Sequence, residues 1–413
     1  MKTEKITQGY LSFIWENPRF LLYGFLLTFF SCFGQTYYIS IFSTQIRSIF
    51  SLSHGDYGLI YAIATVGSAT TLVWVGKFID KIDLRNYTIF VLIGLSAACL
   101  MFSFVSSVIL LTLSLFFLRL FGQGLMMHTS VTSMGRYFDE TRGKAVSLVS
   151  FGNPLGQGML VSLAIYLLTF SDWKTIWVAS SLATLLIVAP IILLLLGNHP
   201  VRKRKTISKN TPSTKSINNW TRKEVLRDIR FYLILPLMLA PSYITTGFFF
   251  HMSHLVDTKG WDLNIFTQTF YMYVASSLLA ALITGNITDK FGAKKIIPLS
   301  LIPQCVAMLI LVVTNHPIAQ ILYMFTSGIT VGIRVTIGGA IWPEIYGVTN
   351  LGGIRALATF FMVLSTAIAP VSMGYLIDAG VTMEFIALGC FVYMILSSIA
   401  AWFGVRIKKS TQT

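Results

Sequence analysis

Charge is what this sequence has least of. Asp, Glu, Lys and Arg together make up 11% of its 413 residues, against 54% hydrophobic, whereas soluble domains carry about 25% charged residues. That balance excludes an ordinary water-soluble protein. Acidic side chains are the scarcer sign, 16 against 31 basic, and Asp56, Glu344 and Asp378 fall at the ends of apolar runs rather than inside them. A carrier of cationic drugs would be expected to hold an acid at mid-membrane, and none is there. The four cysteines, Cys32, Cys99, Cys305 and Cys390, sit in apolar runs with no CxxC and no neighbouring His and Asp, so they read as small hydrophobes. No metal site and no cofactor are expected. There is no GxxxxGK phosphate loop, no HExxH and no Ser, His and acid set on a soluble domain. An enzyme is therefore not expected, and energy for any vectorial work must come from solute or ion gradients. The formal charge of +15 could suggest nucleic acid, but its distribution along the chain points to membrane orientation instead.

What the sequence does have is long apolar runs. A bilayer core about 30 Å thick needs about 20 apolar residues per helix. The runs give spans at 19–46, 56–78, 87–106, 109–135, 144–170 and 175–196, then 231–256, 265–287, 294–313, 317–345, 354–377 and 382–405. The fold class expected is all-α and integral to the membrane, with twelve transmembrane helices. With the N-terminus placed in the cytoplasm, 26 Lys and Arg lie on the cytoplasmic side; Arg47, Lys174 and Lys259 lie opposite, and Arg119 and Arg334 fall inside spans. This split is a positive-inside signal and puts both termini in the cytoplasm, in a cell inner membrane. The interval 197–230, with Arg202, Lys203, Arg204 and Lys205 followed by Lys, Ser, Thr, Asn and Pro, is too polar to pack and reads as a cytoplasmic basic linker. It separates an N-terminal bundle, 1–196, from a C-terminal one, 231–413.

The two halves repeat. Gly76-Lys-Phe-Ile-Asp80-Lys81 after the second span and Gly285-Asn-Ile-Thr-Asp289-Lys290 after the eighth share Gly-x-x-x-Asp-Lys at an offset of 209 residues. Arg19-Phe20 and Arg230-Phe231 open the first and seventh spans, and Pro154 to Gly158 and Pro370 to Gly374 share Pro-x-x-x-Gly in the fifth and eleventh. Two parallel six-helix pseudo-repeats follow. In these paired loops the chain resembles the major facilitator superfamily over essentially its whole length. The resemblance implies that fold, with a central cavity bounded by spans 1, 4, 7 and 10. It also implies a gating role for Gly76, Asp80, Arg136, Gly285, Asp289 and Lys290, in which each Gly permits close helix packing and the loop Asp pairs with a base at the end of the fourth span. The first loop departs from the family pattern at Asp83 and Leu84; the second, with Gly292, follows it.

Gly34-Gln-Thr-Tyr-Tyr-Ile-Ser40, Ser53-His-Gly-Asp-Tyr-Gly58 and Leu118-Arg-Leu-Phe-Gly-Gln-Gly124 are similar to bacterial members grouped with monocarboxylate transporters. So are Gly152-Asn-Pro-Leu-Gly156 and Trp342-Pro-Glu-Ile-Tyr-Gly347. The basic residues that such proteins often carry in the eighth or eleventh span are missing here, so that binding scheme is not transferred.

An ionisable group in hydrocarbon costs about 2.5–3.5 kcal/mol on insertion scales, so Arg119 in the fourth span and Arg334 in the tenth need a reason to be there. Helical steps from Arg119 reach Gln123, Met126, Ser130 and Ser133; around Arg334 they reach Tyr323, Ser327, Thr330 and Gly338. Thr28, Ser31, Gln35 and Tyr38 make a further polar stripe on the first span. Two readings stay open: a wet cavity in which the arginines meet a carboxylate, or interhelical bonding, with Arg119 on backbone carbonyls and Arg334 on Glu344. The candidate substrate-binding set is Arg119, Gln123, Gln35, Tyr38, Arg334 and Tyr243. His251 and His254, three apart toward the outer half of the seventh span, are candidates for proton coupling, while His128 reads as packing. The expectation is a secondary transporter working by alternating access, its cargo a small, monocarboxylate-like organic anion moved with a proton or a counter-anion. Its other partner is the lipid bilayer, and it is expected to act as a monomer. An exporter of amphipathic drugs or metabolites is the alternative, and a sensor that keeps the fold without transporting is a third reading.

Overall fold

The computed structural model describes residues 10–138, 141–197, 220–347 and 350–407. Within them the regular structure is helical. Eleven helices are long and apolar enough to cross a membrane, from His54–Asp80 to Met383–Arg406. A twelfth span is the bent pair Pro18–Gly34 and Thr36–Phe50, whose parts meet at 46°. Large apolar side chains such as Ile109, Leu186, Leu282 and Leu396 are well exposed on these helices, as a surface solvated by lipid tails requires.

Helix starts are set by local polar caps. Ser107, Asp172, Asp262 and Thr382 each accept a hydrogen bond from the backbone N–H three residues on, opening spans 4, 6, 8 and 12. Without such a cap the first-turn N–H groups would have no partner at the apolar boundary. By its contacts the chain falls into two compact units, Met1–Phe50 with Ile63–Lys209 and Ser51–Ala62 with Asn210–Thr413. The first turns of span 2 thus pack with the second unit although the rest of that helix packs with the first.

Span boundaries follow the apolar runs, but two details differ from the periodicity. Span 1 is broken: Ser31–Gly34 is a 3₁₀ turn and Gln35 is extended, with φ −89° and ψ 151°. Span 4 is π-helical over Arg119–Met126. The two irregularities face each other in the first unit. A Cβ on Gly34 would lie 2.1 Å from the Leu118 carbonyl oxygen and 2.7 Å from the Gln123 amide nitrogen, and one on Gly122 would lie 2.6 Å from Gly34 Cα. Backbone meets backbone, so no side chain can yield. Gly34→Ala is therefore expected to cost at least the ~1–3 kcal/mol of an overpacked core, visible as a lowered melting temperature and aggregation on size exclusion in detergent.

Candidate functional site

Arg119 in the first unit is buried and Arg334 in the second is half-buried, and the two are held differently. Arg119, 2% exposed, reaches into the break of span 1, where NH1 donates to the Gly34 carbonyl at 3.2 Å and to the Thr36 hydroxyl at 3.4 Å. An interrupted helix leaves carbonyls without their usual donors, and a guanidinium answers them with charge-assisted bonds. These two bonds are interhelical.

The polar stripe expected on span 1 is mostly internal bonding. Thr28 donates to the Val149 carbonyl, Ser31 to the Thr28 carbonyl at 2.6 Å, and Asn153 Nδ2 to Ser31 at 3.2 Å and Tyr37 Oη at 3.1 Å. Tyr38 turns into an aromatic cluster with Phe33, Phe42 and Trp177, its hydroxyl 3.5 Å from Ser180. The break at Gln35 resets the helical phase, which removes Tyr38 from the stripe that 3.6-residue spacing assigned to it. Gln35 and Gln123 are half-buried beside the break. Ser130 and Ser133, also placed on a cavity-facing stripe by spacing, donate to the carbonyls of Gly24 and Ser130.

Arg334, in the second unit, borders a small cleft with room for about one water, lined by Leu237, Met238, Pro241, Ser300, Thr330 and Ile337 among others. Its NH1 makes two long contacts, 3.4 Å to Ser242 Oγ and 3.4 Å to Met362 Sδ. Its Nε–H is buried and has no hydrogen-bond partner among the described residues. Glu344, the expected acid partner, lies elsewhere: it accepts from the backbone N–H of Ala293 at 2.7 Å and of Lys294 at 3.4 Å, capping the helix that follows Gly292. Those two N–H groups sit at a helix start and need an acceptor, which is why the carboxylate turns to them and leaves Arg334 without an acid. Tyr243, on the same helix as Ser242, bonds Ser372 at 2.5 Å.

Of the loop residues, Asp80 and Arg136 form an ion pair, and Arg136 also donates to the Ile79 carbonyl at 3.0 Å. Gly76 packs against His128, which bonds its carbonyl at 3.1 Å. The second copy is built otherwise. Asp289 and Lys290 are exposed, and the Lys290 ammonium lies 5.3 Å over the Phe291 ring. A Cβ on Gly285 would meet nothing within 4 Å, so close packing is not what this glycine provides; in this half Glu344 meets the Ala293 helix start.

His251 bonds the Pro370 carbonyl through Nε2 at 3.0 Å, and a third imidazole, His54, lies 4.6 Å from the ring centroid of His254 and 5.5 Å from that of His251. Nothing in linear spacing joins residue 54 to residue 254; the Ser53-to-Gly58 stretch was noticeable only for its family resemblance.

The sequence profile of the Major Facilitator Superfamily matches residues 24–283 and 267–413. Among solved structures, the fold is similar to a bacterial homologue of the human lysosomal transporter Spinster, inward-facing and unoccupied. There the TM-score is 0.66 and the identity 13%, over 97% of this chain and 98% of that one. It is also similar to the nucleoside transporter NupG, with TM-score 0.69 and 13% identity over 93% of this chain and 99% of that one. At such identity the likeness is one of fold. No curated protein sequence matches the chain.

Proposed function

The chain belongs to the Major Facilitator Superfamily and is a multi-pass membrane transporter, and from that premise we propose that its cargo is a small organic anion of the monocarboxylate type. The observation that carries this reading is Arg334: a guanidinium with no carboxylate partner among the described residues, an unanswered Nε–H, and a small cleft beside it. A buried donor left without an acceptor costs about 1–3 kcal/mol. A carboxylate that takes Nε–H and NH2 as a fork removes that cost and adds charge. The cleft has room for about one water-sized group, so it would take the carboxylate alone, with Leu, Met, Pro and Ile side chains beside it for a short apolar body. The anion moves by alternating access, with a proton or in exchange for another anion. The 26-to-3 distribution of basic residues supports cytoplasmic termini in a cell inner membrane. The two repeats, joined by the basic interval, are the parts that rock.

The test is thermal stabilisation of the purified protein by short monocarboxylates, nucleosides and amphipathic cations, followed by uptake of the best binder into proteoliposomes. A monocarboxylate is expected to raise the melting temperature. Arg334→Gln is expected to melt close to wild type yet bind that anion ten- to a hundredfold more weakly, as the loss of about 1.5–3 kcal/mol implies. If cations or dyes are the stabilisers and the variant responds to them like wild type, the anion reading fails and an exporter of amphipathic compounds takes its place.

A further inference from the structure

The start of span 2 is bound to the end of span 11 unusually closely. The Asp378 carboxylate accepts from the His54 N–H at 2.9 Å through one oxygen and from the Gly55 N–H at 2.7 Å through the other. A Cβ on Gly58 would lie 2.5 Å from the Pro370 carbonyl oxygen, and one on Gly374 would lie 2.5 Å from that of His54. At these two glycines backbone meets backbone, while at Gly55 the Tyr375 ring packs against the chain. Around this contact stand three imidazoles. His54 lies on the first turn of span 2, His251 just after span 7 with its Nε2 on the Pro370 carbonyl, and His254 one turn further on. All of these residues belong to the second unit, whereas the same helix from Ile63 onward belongs to the first.

We propose that His54, His251 and His254, together with Asp378, form a proton-binding site that clasps the first turns of span 2, closed when the imidazoles are neutral and released when two of them are charged. One proton on His54 is tolerated, because the Asp378 carboxylate is close enough to interact with that imidazole. A second puts like charges on rings 4.6 to 5.5 Å apart, while the Asp378 oxygens are already taken by the His54 and Gly55 N–H groups. Histidine changes charge between about pH 5 and 8, so closure holds at the alkaline end and is lost toward the acid end. The other ionisable groups on the packed elements are fewer or otherwise engaged. Asp56 bonds Ser53 and is exposed, Asp257 is exposed, Lys259 is paired with Glu384, and the Tyr57 ring stacks on Phe250. The inference rests on the transporter reading only for its use in coupling; the clasp itself requires no substrate.

Hydrogen exchange tests it without one. In detergent-purified full chain, the amides of residues 54–58 are expected to lose protection at least tenfold between pH 7.5 and 5.5 after correction for intrinsic exchange. His254→Gln is expected to shrink that loss, since only the more distant His54 and His251 pair remains, and the His54→Gln/His254→Gln double variant is expected to hold the same protection at both values. Asp378→Asn is expected to lose protection at both, since its amide oxygen can serve only one of the two N–H groups. Thermal melting at pH 7.5 confirms that each variant is folded, and His254→Gln, at a half-buried position, keeps the test alive if the double variant is not. Protection independent of pH in the wild type overturns the proposal. So does an undiminished pH response in folded His254→Gln, which would move the titration to a carboxylate. Neither result touches the anion site at Arg334.

Discussion

Arg119→Gln is expected to melt far below wild type and to elute partly aggregated, whereas Arg334→Gln stays folded. The contrast follows from what each guanidinium holds. Arg119 donates into the broken turn of span 1, to a main-chain carbonyl and to the hydroxyl that begins the next half-helix. Hydrogen bonds from charged groups contribute about 1.5–3 kcal/mol each, and a shorter neutral amide reaches one of these acceptors at most. A loss of roughly 3 kcal/mol is expected, a large share of the 5–15 kcal/mol that stabilises a typical protein. Arg119→Lys should recover part of it, since both bonds leave from NH1 and an ammonium on a shorter stem carries donors for both acceptors. Arg334, with two contacts at 3.4 Å and an unanswered Nε–H, gives up almost nothing in the absence of ligand. Thermal unfolding of both variants with and without the stabilising anion separates the cases. An Arg119→Gln protein that melts like wild type but has lost anion binding would return Arg119 to the substrate site.

The difference between the arginines was open in the sequence for a physical reason. Both lie in spans, both carry polar residues at helical spacing, and hydropathy cannot say whether a polar neighbour is an acceptor already in use. The spans themselves were legible because about 20 apolar residues in a row admit few other structures in a protein with so little charge. The repeat was legible because Gly76 to Lys81 and Gly285 to Lys290 recur at half the chain length. What periodicity could not supply was phase. Once Gln35 leaves the helix and Arg119–Met126 turns π-helical, positions counted across either break no longer share a face, which is how Tyr38 came to be assigned to a cavity and is found in an aromatic cluster. His54 and Asp378 were passed over because their neighbours come from two other spans. Asp378, at a span end, read as a boundary residue, although it is the acceptor for two N–H groups more than 320 positions away in the chain.

Lys259 shows how far a residue's place in a charge count can sit from its physical role. By distribution it is one of only three cations on the outer side. In the structure its side chain has no exposure, and its ammonium donates to the Leu311 carbonyl at 2.5 Å, Asn315 Oδ1 at 2.7 Å and Glu384 Oε1 at 2.6 Å. It thus ties the helix Met252–Lys259, the end of span 9 and the start of span 12 together. The pair is neutral as a unit, which makes a buried cation tolerable. Glu384→Gln is expected to cost about 3 kcal/mol, at the low end for breaking a buried pair because the carboxylate is 33% exposed. It leaves the ammonium buried with neutral acceptors alone. The Lys259→Met/Glu384→Gln double variant is expected to be more stable than Glu384→Gln, since no uncompensated charge remains and a methionine of similar length fills the site. Lys259→Met alone should fall between, its unpaired carboxylate turning to water. Melting temperatures of the three variants in one detergent give the order. Should Glu384→Gln melt with wild type, or the double variant fall below it, the ammonium is satisfied by Leu311 and Asn315 and the cross-brace is a hydrogen-bonded knot rather than an ion pair.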